Sequence, residues 1–226
     1  ELLTGLTVVY TSAETTGTLK FTPVADEHGD TEITVTVEDG GLDGDLDTTA
    51  DNGTFSRTFD VIVNSVNDVP TINAIADVTM DEDASEQTVN LTGVTAGGGE
   101  VQPMLVSASS SNSSLLGQIT VDFTPINTTG TLKFTPLADQ HGVSTITVTV
   151  EDGGLDNDLA TTDDNAVTTR TFDVTVTPDG DTPTLDSLTD VTLDEDASEQ
   201  TLDLSGITAG GGETQPLRVT ATSSYA

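Results

Sequence analysis

The chain has 226 residues, with 39 Asp and Glu against 5 Lys and Arg, for a formal charge of −34. That field repels nucleic acid and anionic lipid, and no apolar run approaches the ~20 residues that span a bilayer, so neither nucleic-acid binding nor membrane insertion is expected. The absence of cysteine excludes a disulfide framework and any thiolate ligand or nucleophile. Hydrophobic residues make up 34% and aromatics 4%, with no Trp, which is little core material for so acidic a chain. With no start Met and no signal-peptide pattern, the sequence reads as an excised or processed piece.

One interval organises everything else. "TTGTLKFTP" at 15–23 returns at 128–136, "TVTVEDGGLD" at 34–43 returns at 147–156, and "TAGGGE" at 95–100 returns at 208–213, each 113 residues on. Roughly three positions in five are identical between the copies, the signature of an internal repeat. Taken in chain order, each repeat reads as all β. A first strand is expected near 71–80, then Val89 and Leu91, then Met104, Val106 and Ala108. Ile119, Val121 and Phe123 mark the next, followed by Leu132 and Phe134. "STITVTVED" at 144–152 places Ile146, Val148 and Val150 on one face and threonines on the other. Phe172, Val174 and Val176 repeat that pattern. About seven strands per repeat, separated by Gly, Asp, Asn and Pro clusters, predict a β-sandwich. Disorder is disfavoured by the alternation, and an antibody-type domain by the lack of Cys and Trp.

"VNSVNDVPT" at 63–71 and "VTPDGDTPT" at 176–184 read as stiff linkers. They predict a complete sandwich at 68–180, the C-terminal part of another at 1–67, and the N-terminal part of a third at 181–226. The end "SSYA" joined to "ELLTG" aligns without a gap against "SSNSSLLGQ" at 110–118. Residues 181–226 of one copy are therefore expected to complete 1–67 of the next. A continuous polypeptide would place Ala226 about 3.8 Å from the neighbour's Glu1 between Cα atoms.

"VNDVP" at the linker, "DED" early in the domain and "ITVTVEDGG" closing a strand resemble the cadherin-like, immunoglobulin-like repeats of large bacterial surface proteins and calcium-dependent adhesins. The resemblance covers the whole chain. It implies calcium between consecutive domains, held by an early Glu (Glu82, Glu195), an Asn-Asp linker (Asn67 with Asp68) and a strand-end Asp (Asp39, Asp152). In the second linker Gly180 replaces the Asn, while Asp179 and Asp181 remain. The mid-domain acidic motif of true cadherins is not visible.

The residue chemistry points the same way. Calcium takes six to eight oxygens from carboxylates and carbonyls, and this chain is rich in both. "DEDASEQT" occurs at 81–88 and 194–201, so Asp81, Glu82 and Asp83, and Asp194, Glu195 and Asp196, set three adjacent carboxylates against one another. A dication relieves that repulsion; a merely solvated turn is the alternative. Glu38 and Glu151 flank the strand-end acids. "EDGGLDGDLDTTADN" at 38–52 lacks the Gly and Glu of an EF-hand. Asp43 with Asp45, and Asp156 with Asp158, recur in both copies and either add ligands or stay wet.

His28 and His141 are expected to pack in turns, and Lys20, Lys133, Arg57 and Arg170 to neutralise local charge. "AGGGE" reads as a flexible turn rather than a phosphate loop, since no Lys follows. No nucleophile elbow, zinc-protease motif or histidine pair is present, and no enzyme is expected. The predicted function is a structural repeat of an extracellular fibre, stalk or bacterial surface layer. It is stiffened by calcium at its junctions and joined head-to-tail to copies of itself, with a cell surface or matrix contacted at the end of the parent protein. The alternative is an adhesin module that binds a sugar or protein through its loops, and a third account ascribes the acids to life in high salt.

The charge yields a direct expectation. At physiological salt, where the screening length is about 8 Å, fluorescence anisotropy should detect no saturable binding to DNA.

Overall fold

The computed structural model describes residues 1–12 and 14–224; the expected Ala226–Glu1 junction lies outside the described residues. The protein is all β, with no helix among the described residues and therefore none long enough to cross a membrane.

Seven strands lie between residues 78 and 177. They are β5 (Val78–Asp81), β6 (Gln87–Thr92), β7 (Met104–Ser110), β8 (Thr120–Asp122), β9 (Thr129–Phe134), β10 (Gly142–Asp152) and β11 (Val167–Thr177). One sheet has the order β5-β11-β10-β7 and the other β6-β9-β8. The pairing of β5 with β11 is parallel, from Val174↔Val78 to Thr177↔Asp81, whereas β9 pairs antiparallel with β6 and β8. The period-2 pattern works as expected: Ile146, Val148 and Val150 of β10 and Phe172, Val174 and Val176 of β11 are buried. From the other sheet Leu91, Leu132 and Phe134 are buried as well. Inward faces on two sheets, covered to this degree, are the two layers of a sandwich. The strand expected through Ile119 and Phe123 is shorter than its apolar pattern and spans three residues.

Before these strands lie β1 (Leu3–Val9), β2 (Thr18–Pro23), β3 (Gly29–Glu38) and β4 (Thr54–Val63), paired as β1-β2 and β3-β4. Their registers copy the later strands. Thr7↔Lys20, Val8↔Leu19 and Val9↔Thr18 reproduce Thr120↔Lys133, Val121↔Leu132 and Asp122↔Thr131, each position 113 residues on. Their burial does not copy. Val37 is 64% exposed where Val150 is fully buried, and Phe59 is 41% exposed where Phe172 is covered. Residues 181–224 hold no extended strand, only the bridge Thr184↔Thr208, which repeats Thr71↔Thr95. Leu202 and Leu204 there are exposed.

By compactness the chain divides into two units, Glu1–Thr71 with Thr95–Leu105 and Glu151–Thr168, and Ile72–Val94 with Val106–Val150 and Thr169–Ala226. The first holds β1 to β4, the linker after β4 and two acidic loops; the second holds most of the core just described.

Identical residues in unlike surroundings should respond unlike. Leu91→Ala removes a fully buried side chain and should cost about 2–5 kcal/mol in urea unfolding. Leu204→Ala, its counterpart one period on, should cost under about 0.5 kcal/mol in dilute solution.

Candidate metal centre

The "DED" turn sorts its three carboxylates in three directions. Asp83 takes a left-handed conformation, φ 64°, as does its counterpart Asp196 at 67°, which short polar side chains tolerate. Asp81, at the end of β5, accepts a hydrogen bond from the Thr177 hydroxyl at 2.6 Å. Asp83 accepts one from the Asp139 amide at 3.4 Å. Glu82 turns inward and is 3% exposed. Its backbone N–H donates to Thr177 and its Oε1 accepts from the Asp179 amide at 3.0 Å. Its Oε2 has no hydrogen-bond partner, with His141 Nδ1 at 3.5 Å.

Around that open oxygen the fold gathers further acids. Ligand atoms of Glu82, Asp181 and Glu213 lie within 4.8 Å of one another, and so do those of Asp83, Asp139 and Asp181. Calcium binds oxygen at about 2.4 Å, so oxygens on opposite sides of one ion stand about 4.8 Å apart. Asp181 is common to both sets, and its Oδ2 is buried without a partner. Burial first, then the charges of Asp139, Asp83, Glu213 and Glu82, hold its carboxyl above the ordinary range. Carboxylates that resist ionising together are what a dication would settle.

A glycine turn makes the approach feasible. Gly210, Gly211 and Gly212 all have positive φ, and a Cβ on Gly211 would collide with the Asp181 carboxylate and lie 3.2 Å from Asp139 Oδ1. The Asp181 amide then donates to Glu213 Oε2 at 3.4 Å. The stretch expected to be a flexible turn is thus a fitted cradle for the linker aspartate.

The first linker is built on the same plan and adds a second buried carboxylate. Asp68 N donates to Glu100 Oε2 at 3.3 Å, and Gly98 leaves room for the Asp68 carboxylate as Gly211 does for Asp181. Asp152 continues the inward register of Val148 and Val150 and is fully buried. Its Oδ1 accepts from Gly154 N at 3.1 Å, Ala166 N at 2.9 Å and Asn67 Nδ2 at 3.1 Å, while its Oδ2 has no partner. Asn67 also donates to the Asp164 carbonyl and accepts from Gln102, which donates in turn to Glu100. A hydrogen-bonded path therefore runs from the strand end to the linker. At the second linker Gly180 offers no side chain for this, and Gln215 bonds Glu213 alone.

Of the predicted ligands, the structure brings together Glu82, Asp83, Asp179 and Asp181, and separately Asn67 with Asp152 and Asp68 with Glu100. The others are elsewhere. Asp39 is exposed, and amides of Gly53 and Gly41 hold its carboxyl below the ordinary range. Glu38 and Glu151 accept from Asn52 and Asn165. Asp43 accepts from Thr48 and the Asp45 amide, which hold its carboxyl low, and Asp156 accepts from Thr161 and the Asp158 amide. Asp43, Asp45, Asp156 and Asp158 thus belong to self-satisfied loops. Asp194, Glu195 and Asp196 are exposed in a turn. Sequence reading missed Asp139, Glu213, Glu100 and Gln102. The available signal was their recurrence, since Asp26 and Asp139 precede the histidines and Glu100 and Glu213 close the glycine turns.

No protein-family model and no curated protein matches the chain. Solved structures similar to it include domains 1–6 of surface layer protein SbsC, at 14% identity and a TM-score of 0.37 over 74% of this chain and 19% of that one. SbsC domains 4 and 5 give 16% identity and a TM-score of 0.33, covering 55% of this chain and 62% of that one. The titin M3 domain gives 11% and 0.31, covering 50% of this chain and 98% of that one. The chain thus spans about a fifth of the length of the first.

Removing the Asp152 carboxylate leaves three buried donors without their acceptor. Asp152→Ala should cost about 2–4 kcal/mol in denaturant unfolding, with a smaller loss for Asp39→Ala, whose site is open to water.

Proposed function

We propose that this chain is a cadherin-like structural repeat of a bacterial extracellular surface layer, stalk or fibre, stiffened by calcium at the linker near 179–181. The observation that carries the reading is Glu82: a carboxylate 3% exposed, with one oxygen unpartnered, beside Asp181 and Glu213. An acid is seldom left so unless paired, and hard oxygens in this number suit calcium over softer metals. Glu82, Asp181 and Glu213 would hold the ion, with Asp83 and Asp139 beside Asp181 available to a second.

The mechanical consequence follows from where these groups sit in the chain. Glu82 stands at the end of β5, Asp139 in the turn before β10, Asp181 in the linker, and Glu213 in the glycine turn beyond it. One ion shared among them ties the linker to segments on both sides, and it removes the repulsion that otherwise opens them. Binding that requires the folded arrangement also stabilises it, by ~2.7 kcal/mol at a hundredfold excess over the dissociation constant. The repetition itself suits a spacer, whose units need only stack. No catalytic activity is assigned to the chain, and the extracellular location rests on the same reading.

Thermal melts and small-angle scattering at fixed ionic strength, with calcium or with chelator, test this. Chelation should lower the melting temperature and broaden the distance distribution. Glu82→Gln should abolish the calcium response while leaving the chelated state little changed. Equal melting and equal dimensions in both conditions would remove calcium from the account.

A further inference from the structure

The strands of residues 1–67 and the segment 181–224 are open in complementary ways. In the seven-stranded region, β9 is flanked by β8 on one edge and β6 on the other. Its counterpart β2 has β1, in the register of β8, and no strand on its second edge. The residues that match β6 one period on are Gln200–Ser205, and they form no strand in this chain. Likewise β11 takes β5 along its edge, whereas its counterpart β4 pairs only with β3. The match to β5 is Val191–Asp194, also unpaired. Both sides carry uncovered apolar residues: Phe59 and Ile62 on one, Val191, Leu193, Leu202 and Leu204 on the other. Unpaired edges beside exposed apolar faces are templates for strand addition.

We propose that β2 and β4 of one chain receive residues 200–205 and 191–194 of a second copy, in the registers that β6 and β5 show within the chain. This rests on reading the chain as a unit of a head-to-tail array, and it specifies the joint. From Gln87↔Phe134 through Thr92↔Thr129, the expected antiparallel pairs run from Gln200↔Phe21 through Ser205↔Thr16. From Val174↔Val78, the expected parallel pairing begins at Val61↔Val191. Leu202 and Leu204 then cover Leu19 as Val89 and Leu91 cover Leu132. A heterologous joint of this kind uses two different surfaces of each copy, so it propagates.

The joint also bears on the metal. Asp26, Asp68 and Glu100 line a cleft of about 210 Å³ and are the counterparts of Asp139, Asp181 and Glu213. Glu195 is the counterpart of Glu82 and lies just past the 191–194 strand. Strand addition therefore carries Glu195 of the second copy to the cleft, where a dication would bridge the two chains.

The chain's lack of cysteine makes the register measurable. Asn90 and Thr131 are paired within the chain, so Asn90→Cys with Thr131→Cys should close internally and serves as the control. Asp203→Cys with Thr18→Cys, one period away on each side, should yield disulfide-linked dimers and longer ladders, at a yield that rises with protein concentration. Asp203→Cys with Thr22→Cys, four residues out of register, should yield at least tenfold less. No ladder, equal ladders from both pairs, or an internal disulfide independent of concentration would each overturn the proposal. Oxidation is run with calcium and with chelator. Equal ladders in both keep the strand joint and detach it from calcium; calcium-dependent melting without ladders overturns the joint and leaves the calcium reading standing.

Discussion

The junctions of this protein depend on one electrostatic constraint: carboxylates are brought together in places that water reaches poorly, in a chain with few cations to offset them. The acids around Asp181 come from the turn after β5, the turn before β10, the linker and the glycine turn. Lys133 makes its ion pair elsewhere, with Glu86. The two buried acids answer the constraint alike. Backbone amides, with the Asn67 side chain at Asp152, saturate one oxygen of Glu82 and one of Asp152, and the second oxygen of each is left open. A carboxylate held this way is fixed in direction while keeping a lone pair to offer, which is what a ligand for a hard cation requires.

The contrast with the loop acids is instructive. Asp43, Asp45 and their counterparts Asp156 and Asp158 resemble ligands because they alternate along the chain. Each of Asp43 and Asp156 instead spends its oxygens on the amide two residues on and on a threonine hydroxyl. Those bonds cost nothing in desolvation on an exposed loop, and they shape the turn. What separates a candidate ligand from a turn residue here is therefore burial with an unused oxygen, and acidity alone is a poor guide.

Repetition separates two contributions that are normally entangled. The registers of β1 with β2 match those of β8 with β9, so local pairing follows from the residues themselves. Burial differs at matched positions such as Val37 and Val150, because burial needs a second sheet. Pairing is a property of neighbouring strands; a core is a property of the layers that enclose it.

Alternation in "STITVTVED" and "RTFDVTV" is legible in the amino-acid sequence and determines two long strands and their inward faces, since side chains of a strand must alternate. The same period carries Asp152 inward, one step beyond Val150. The linker glycines and prolines mark where strands stop. What the tertiary structure alone decides is which acids meet. Asp139 and Glu213 sit in turns whose own sequence says only that the chain bends, and they lie far from Glu82 along the chain. Their convergence on Asp181 follows from the parallel pairing of β5 with β11, which sets the start of one domain beside its exit. No local pattern encodes that pairing, because it joins strands almost a hundred residues apart and depends on everything folded between them.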